Sequence, residues 1–232
     1  MNRVWRVVRI QLANGPMVLG MPLVILALVL LANLAIFGVI DTSASPENRM
    51  TGGMISIYIV LLVAHLQTIT QFFPFALSLS VTRRIFFAAT CLVVLGQSVG
   101  YGLLLFLLRL LEDATGGWGL DMGFFALPFL TTSNALTQVA VYTVPFIAMS
   151  FLGLLVGIVF KRWGQLGLYT LGIGVGVLAV LLVLLATWQD WWAAIGRFFA
   201  QEPAVHLFAT YPLVLAALLA GIGYRALLRA TP

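Results

Sequence analysis

Charge is scarce in this sequence. Only 8% of its 232 residues are charged, against roughly 25% in an ordinary soluble domain. It has a single cysteine, two histidines and seven acids. Each shortage excludes something. Cys91 has no second cysteine to bond with, and inside an apolar run it reads as small core filler. No Walker A sequence occurs, so the chain does not hydrolyse ATP by that route. No HExxH, no GxSxG and no paired acids within an apolar run occur, so hydrolytic chemistry has no visible residues. A proton- or sodium-coupled carrier usually needs an acid inside the bilayer, and no acid falls inside any apolar run. No catalytic residue, cofactor or metal ligand is therefore expected in this chain.

Apolar residues fill the space instead. The chain is 62% hydrophobic, with a mean hydropathy of +1.10. A soluble protein of this length cannot hide so much apolar surface, so lipid must be the solvent for much of it. Six apolar runs stand out, at roughly 16–40, 54–77, 85–111, 137–160, 165–187 and 207–228. Each reaches the ~20 residues a helix needs to cross the hydrocarbon core. Barrel strands would alternate over about ten residues, and these runs do not. Backbone groups in lipid must bond internally, which leaves helices. The expectation is an all-α integral membrane protein. Residues 1–232 form a single transmembrane domain, with no room for a useful second, soluble one.

The charges predict its orientation. Arg3, Arg6 and Arg9 precede the first run. Arg83 and Arg84 separate the second and third, Lys161 and Arg162 the fourth and fifth, and Arg225 and Arg229 close the chain. All seven acids fall in the alternate loops, where only Arg49, Arg109 and Arg197 are basic. The positive-inside rule then makes the first set cytosolic. The prediction is six spans with N and C termini in the cytosol. The basic residues come in twos and threes at membrane edges, without a broad patch or interleaved aromatics, so nucleic acid is not an expected partner. The early arginines before an apolar run resemble a signal peptide. The run is too long for a typical h-region and lacks a clear small-x-small site, so it reads as a retained span. His65 and His206 are predicted on opposite sides of the membrane, which excludes a haem or zinc pair.

Five segments stand out for function. In 2–13, Arg3, Arg6 and Arg9 share one helical arc, while Val4, Trp5, Val7, Val8 and Leu12 share the other. That is a helix lying in the interface. It reads as a topogenic anchor or as an elbow that carries force from a cytosolic partner. In the second run Gln67, Gln71, Pro74 and Ser78 line one face, with Thr70 near it. Amides in hydrocarbon need partners or water, so this face is either interhelical glue or the lining of a path. Pro74 removes a backbone bond and invites a kink. The short loop Ser80-Val81-Thr82-Arg83-Arg84 either anchors helix ends or docks on an acidic cytosolic surface. The pairs Gly96/Gly100, Gly153/Gly157 and Gly172/Gly176 suggest tight packing of the third, fourth and fifth spans. Trp188, Trp191, Trp192, Ile195, Phe198 and Phe199 recur at helical spacing. They predict a short interfacial or re-entrant helix, ended near Pro203, serving as an aromatic belt or as a lid.

The stretch Phe73-Pro74-Phe75-Ala76-Leu77-Ser78-Leu79-Ser80-Val81-Thr82-Arg83-Arg84-Ile85-Phe86-Phe87 resembles a run found in ABC-2 type permease subunits of ABC transporters, especially the short actinobacterial-like ones. The likeness extends over the chain, from the amphipathic basic start to the aromatic segment before the last span. It implies an elbow helix at 3–12 and a coupling segment at 79–84 that touches a nucleotide-binding subunit. It also implies a re-entrant region at 188–199, and a path lined by the second and fifth spans at a dimer interface. ATP and Mg would sit on the ATPase partner. The expected partners are ABC ATP-binding subunits, a second or related permease copy, and the bilayer of the plasma (inner) membrane. The expected role is drug or lipid efflux. A transporter or channel without ATPase subunits, or a membrane-embedded assembly factor, is the alternative.

Overall fold

The computed structural model describes residues 3–13, 15–39 and 49–228. Ile40, Asp41, Glu47 and Arg229, all used in the sequence argument, lie outside the described residues. Among the described residues every regular element is helical, apart from one isolated parallel bridge between Met50 and Gly123. Helix α1 covers Arg3–Gln11 and α2 Gly15–Val39. Helix α3, Ile55–Gln67, passes through a wide π turn, Thr68–Phe72, into the short α4, Phe73–Ser78. Helix α5 runs Arg83–Ala114 and α6 Ala135–Trp188. Helix α7, Trp192–Gln201, leads through a second π turn, His206–Thr210, into α8, Tyr211–Leu228.

Five helical stretches are long and apolar enough to cross a membrane: Val18–Val39, Ile55–Ser78, Arg83–Ala114, Ala135–Trp188 and His206–Leu228. Four of the six predicted runs thus find a helix of their own within a few residues, and the fourth and fifth share one. The reason is local. No residues are spent on a loop between them, and only Gly164 leaves helical geometry, at φ 63° and ψ −153°. Glycine alone adopts such angles cheaply. The bend is sharp. Gly167 lies against Val159, its would-be β-carbon 3.3 Å from that carbonyl oxygen. In a straight helix, eight residues apart means about 12 Å.

The expected kink at Pro74 takes the form of the π turn just before it. The Phe73 amide reaches back to Thr68, and proline enters as the second residue of α4, where a missing N–H costs little. Pro145 sits inside α6 and Pro22 inside α2; neighbouring helices tolerate such breaks in a bundle.

Small residues set how closely the helices approach, at one of the three predicted glycine pairs and not at the other two. Gly153 lies under the Leu62 carbonyl of α3, and Gly157 meets Leu66 one turn on, its would-be β-carbon 2.9 Å from that oxygen. Gly96, Gly100, Gly172 and Gly176 meet nothing within 4 Å. On α5 the close contact belongs to Gly102, against Thr143 of α6. In lipid, where apolar burial does not draw helices together, close approach of this kind is a main source of cohesion.

Two apolar clusters fill the bundle. One joins Val7 and Val8 of α1 to Phe73, Phe86, Val94, Phe151, Ile158 and Leu227. The other joins Leu26, Ile57, Tyr58, Tyr101, Tyr142 and Phe146 to a loop containing Met122, Phe124, Phe125, Leu127 and Leu130. The part of α6 beyond Gly164 belongs to neither: from there to Trp188 only Ala186 is buried.

Candidate functional site

The first cluster lies at the basic end of the bundle. Helix α1 packs along the first turns of α5 through Val7 and Val8, while Arg3, Arg6 and Arg9 stay exposed. Trp5, expected on the apolar arc, is half exposed, because the buried stripe is centred on Val4, Val7, Val8 and Gln11 instead. Gln11, fully buried, donates a 2.8 Å hydrogen bond from Nε2 to Thr90 Oγ1, and Thr90 in turn donates to the Phe86 carbonyl. The periodicity of the arginines gave no sign of this polar lock.

The loop after α4 is a tight turn. Ser80 holds a positive φ of 59°. The Ser80 amide donates to Leu77 and the Val81 amide to Ala76. Thr82 is extended and caps α5, its hydroxyl accepting from the Ile85 amide. Ser80, Thr82 and Arg84 are exposed, and Val81 is half-buried. Arg83 turns inward and donates to the Leu228 carbonyl at 2.7 Å, tying the turn to the end of α8. Phe87 packs against Tyr224, ring centroids 5.1 Å apart. The two arginines therefore differ: Arg83 joins elements and Arg84 faces outward. Lys161 and Arg162 follow Ile158, which packs beside Gly223, so α1, the turn, the bend in α6 and the end of α8 gather at one end.

The amide face of the second span stays open. Gln67 and Gln71 are exposed, Thr70 and Pro74 half-buried. The Thr70 hydroxyl is spent on the Leu66 and Gln67 carbonyls. His65 lies on the opposite, buried side, its Nδ1 2.9 Å from the Leu61 carbonyl. The two glutamines thus face away from the bundle.

Only the later part of the aromatic segment forms a separate short helix, α7, which ends at Gln201 just before Pro203, while Trp188 closes α6 and Trp191 precedes α7. Trp188, Trp191, Trp192, Phe198 and Phe199 are all exposed. Trp192 donates to the Thr187 hydroxyl, and Phe198 stacks on Tyr211 at the start of α8.

The opposite end of the bundle holds what sequence reasoning missed. Glu112, counted only as a loop acid, is 2% exposed. Its carboxylate accepts from the backbone amides of Phe124, Phe125 and Ala126 and from Trp118 Nε1, at 2.8–3.2 Å. Tyr142 donates to the Phe125 carbonyl at 2.7 Å. Arg49 donates to the Leu120 carbonyl, and the Gly123 amide to Arg49. The loop after α5 is thereby drawn into the bundle. The apolar spacing of Phe124, Phe125, Leu127 and Leu130 was the available signal.

No family model matches this chain, and neither the curated proteins nor the solved structures contain a match to it.

Proposed function

We propose that this membrane protein is the permease subunit of an ATP-driven exporter of the ABC-2 kind, without enzymatic activity of its own. On this reading the bend at Gly164 makes two spans of α6, since each part exceeds the ~20 residues needed. That gives six spans with both ends in the cytosol of a plasma (inner) membrane. Helix α1 is the elbow. Two copies, or one copy and a related permease, pair with two ATPase subunits that carry ATP and Mg. The exported compound is amphipathic or lipid-like, in keeping with spans so poor in polar groups.

One observation carries the reading. The turn at 79–82 is exposed and basic at Arg84, yet capped directly onto α5 and tied through Arg83 to α8. A push on that turn has no slack to absorb it. Through Gln11 and Thr90, α1 follows α5, so the basic end moves as one body. The open Gln67/Gln71 face and the exposed Gly172/Gly176 face of the helix beyond Gly164 supply the surfaces a second copy would close.

The test is co-purification from the native membrane in mild detergent with a tag at the C-terminus. A stoichiometric ATP-binding subunit, released by Arg84→Glu, supports the proposal. A folded chain that comes down without any ATPase refutes it and leaves an unaided transporter.

A further inference from the structure

The bend at Gly164 opens a cleft of about 650 Å³, within the size range of small-ligand sites. Val159 and Trp163 form one wall; Gly167, Thr170, Gly174 and Leu178 lie along the other. The wall residues after the bend recur at three and four, so the cleft follows one face of that helix, and Gly172 and Gly176 fall on the face turned away. The lining is apolar. Its one hydroxyl, on Thr170, is already donated to the Leu166 carbonyl at 2.8 Å. Nothing along the walls therefore calls for a polar ligand group.

The mouth has the opposite character. The Arg162 guanidinium lies 4.5 Å over the Trp163 ring, which holds the charge at the cleft's entrance. Lys161, two positions from Trp163, falls on the other face of the helix. No acid occurs anywhere in α6, and Arg162 forms no ion pair among the described residues. A cation with no acidic partner there and an exposed tryptophan thus stand beside an apolar cleft one helix wide. The ligand chemistry that matches both parts is a phosphate attached to a long hydrocarbon chain.

The geometry points to a binding site for an anionic phospholipid, with an acyl chain in the cleft and the phosphate at Arg162. The inference rests on the chain lying in a bilayer, and not on any ATPase partner. Glycine at 174 leaves room for the chain, since a β-carbon there would meet nothing within 4 Å. The Gly164 break itself sets the angle between the two walls.

Native mass spectrometry of the full chain, delipidated and titrated with phosphatidylglycerol or phosphatidylcholine of matched acyl chains, tests it. The expected result is preferential retention of phosphatidylglycerol. Arg162→Gln should weaken it about fivefold, leaving phosphatidylcholine unchanged. Gly174→Leu, whose β-carbon meets nothing within 4 Å, should remove the bound lipid at unchanged melting temperature. Equal retention of the two lipids by the unaltered chain overturns the proposal. So does full retention by Arg162→Gln, or a lipid-free dimer in which a second copy covers the cleft. None of these outcomes depends on whether an ATPase co-purifies.

Discussion

Gln11 and Thr90 are joined by a 2.8 Å hydrogen bond between two buried side chains, 79 positions apart in sequence. It fastens the amphipathic first helix to the span that begins at Arg83. Interhelical bonds of this sort in membrane proteins contribute roughly 0.5–1.5 kcal/mol. Gln11→Leu and Thr90→Val should each lower the melting temperature modestly. The pair together should cost less than the sum of the two, the sign of a direct contact. Thermal unfolding of the four proteins in detergent measures it. Strict additivity would mean that α1 is held by its valines alone.

Arg83 and Arg84 should separate by experiment although they are neighbours. Arg83→Gln removes the bond to the Leu228 carbonyl and should lower stability with or without any partner. Arg84 makes no hydrogen bond or ion pair among the described residues, so Arg84→Glu should leave the melting temperature in place, and on the proposed function ATPase association should fall. Melting curves alongside co-purification read both effects. A structural penalty from Arg84→Glu would place that side chain in the fold rather than on a docking surface.

Two glycine pairs of the same spelling should behave oppositely. Gly153 sits against the Leu62 carbonyl, and a larger side chain there must push α3 and α6 apart. Gly153→Leu should sharply reduce the yield of folded protein. Gly172→Leu enters open space and should leave the folded chain intact, changing only the fraction that self-associates. Size-exclusion profiles in detergent distinguish them.

Glu112→Ala should be the most damaging single truncation at its end of the molecule. It leaves three buried or part-buried backbone amides and the Trp118 indole without an acceptor, at about 1–3 kcal/mol for each fully buried donor. Glu112→Gln keeps the shape and one acceptor oxygen and should fall between. Hydrogen exchange at Phe124, Phe125 and Ala126 reports the loss directly: fast exchange in Glu112→Ala, slow in the unaltered protein.

These expectations show where sequence patterning carries information. Run length and apolarity located the long apolar helices because lipid imposes a minimum length and forbids open backbone, whatever the tertiary contacts. The grouping of arginines located one end of the bundle for the same reason. Spacing could not tell which GxxxG pair touches a neighbour, since Gly153/Gly157 and Gly172/Gly176 read alike and only the partner helix separates them. Nor could it show that Arg83 reaches Leu228, or that Glu112 collects amides a dozen residues downstream. Such contacts depend on where the chain returns in space. Gly164 lay between a basic pair and an apolar run, and its spelling does not distinguish a bend from a loop.

The Glu112-anchored loop has a physiological consequence. Met122, Phe124, Phe125, Leu127 and Leu130 pack among α2, α3, α5 and α6, and the Glu112 carboxylate that holds them is already occupied by four N–H donors. An ion moving inward past Asp113 and Asp121 would have to shed its hydration shell into these apolar side chains. A single resting copy should therefore add no conductance to the membrane that holds it, and any current traced to this protein would have to arise between copies or during a working cycle.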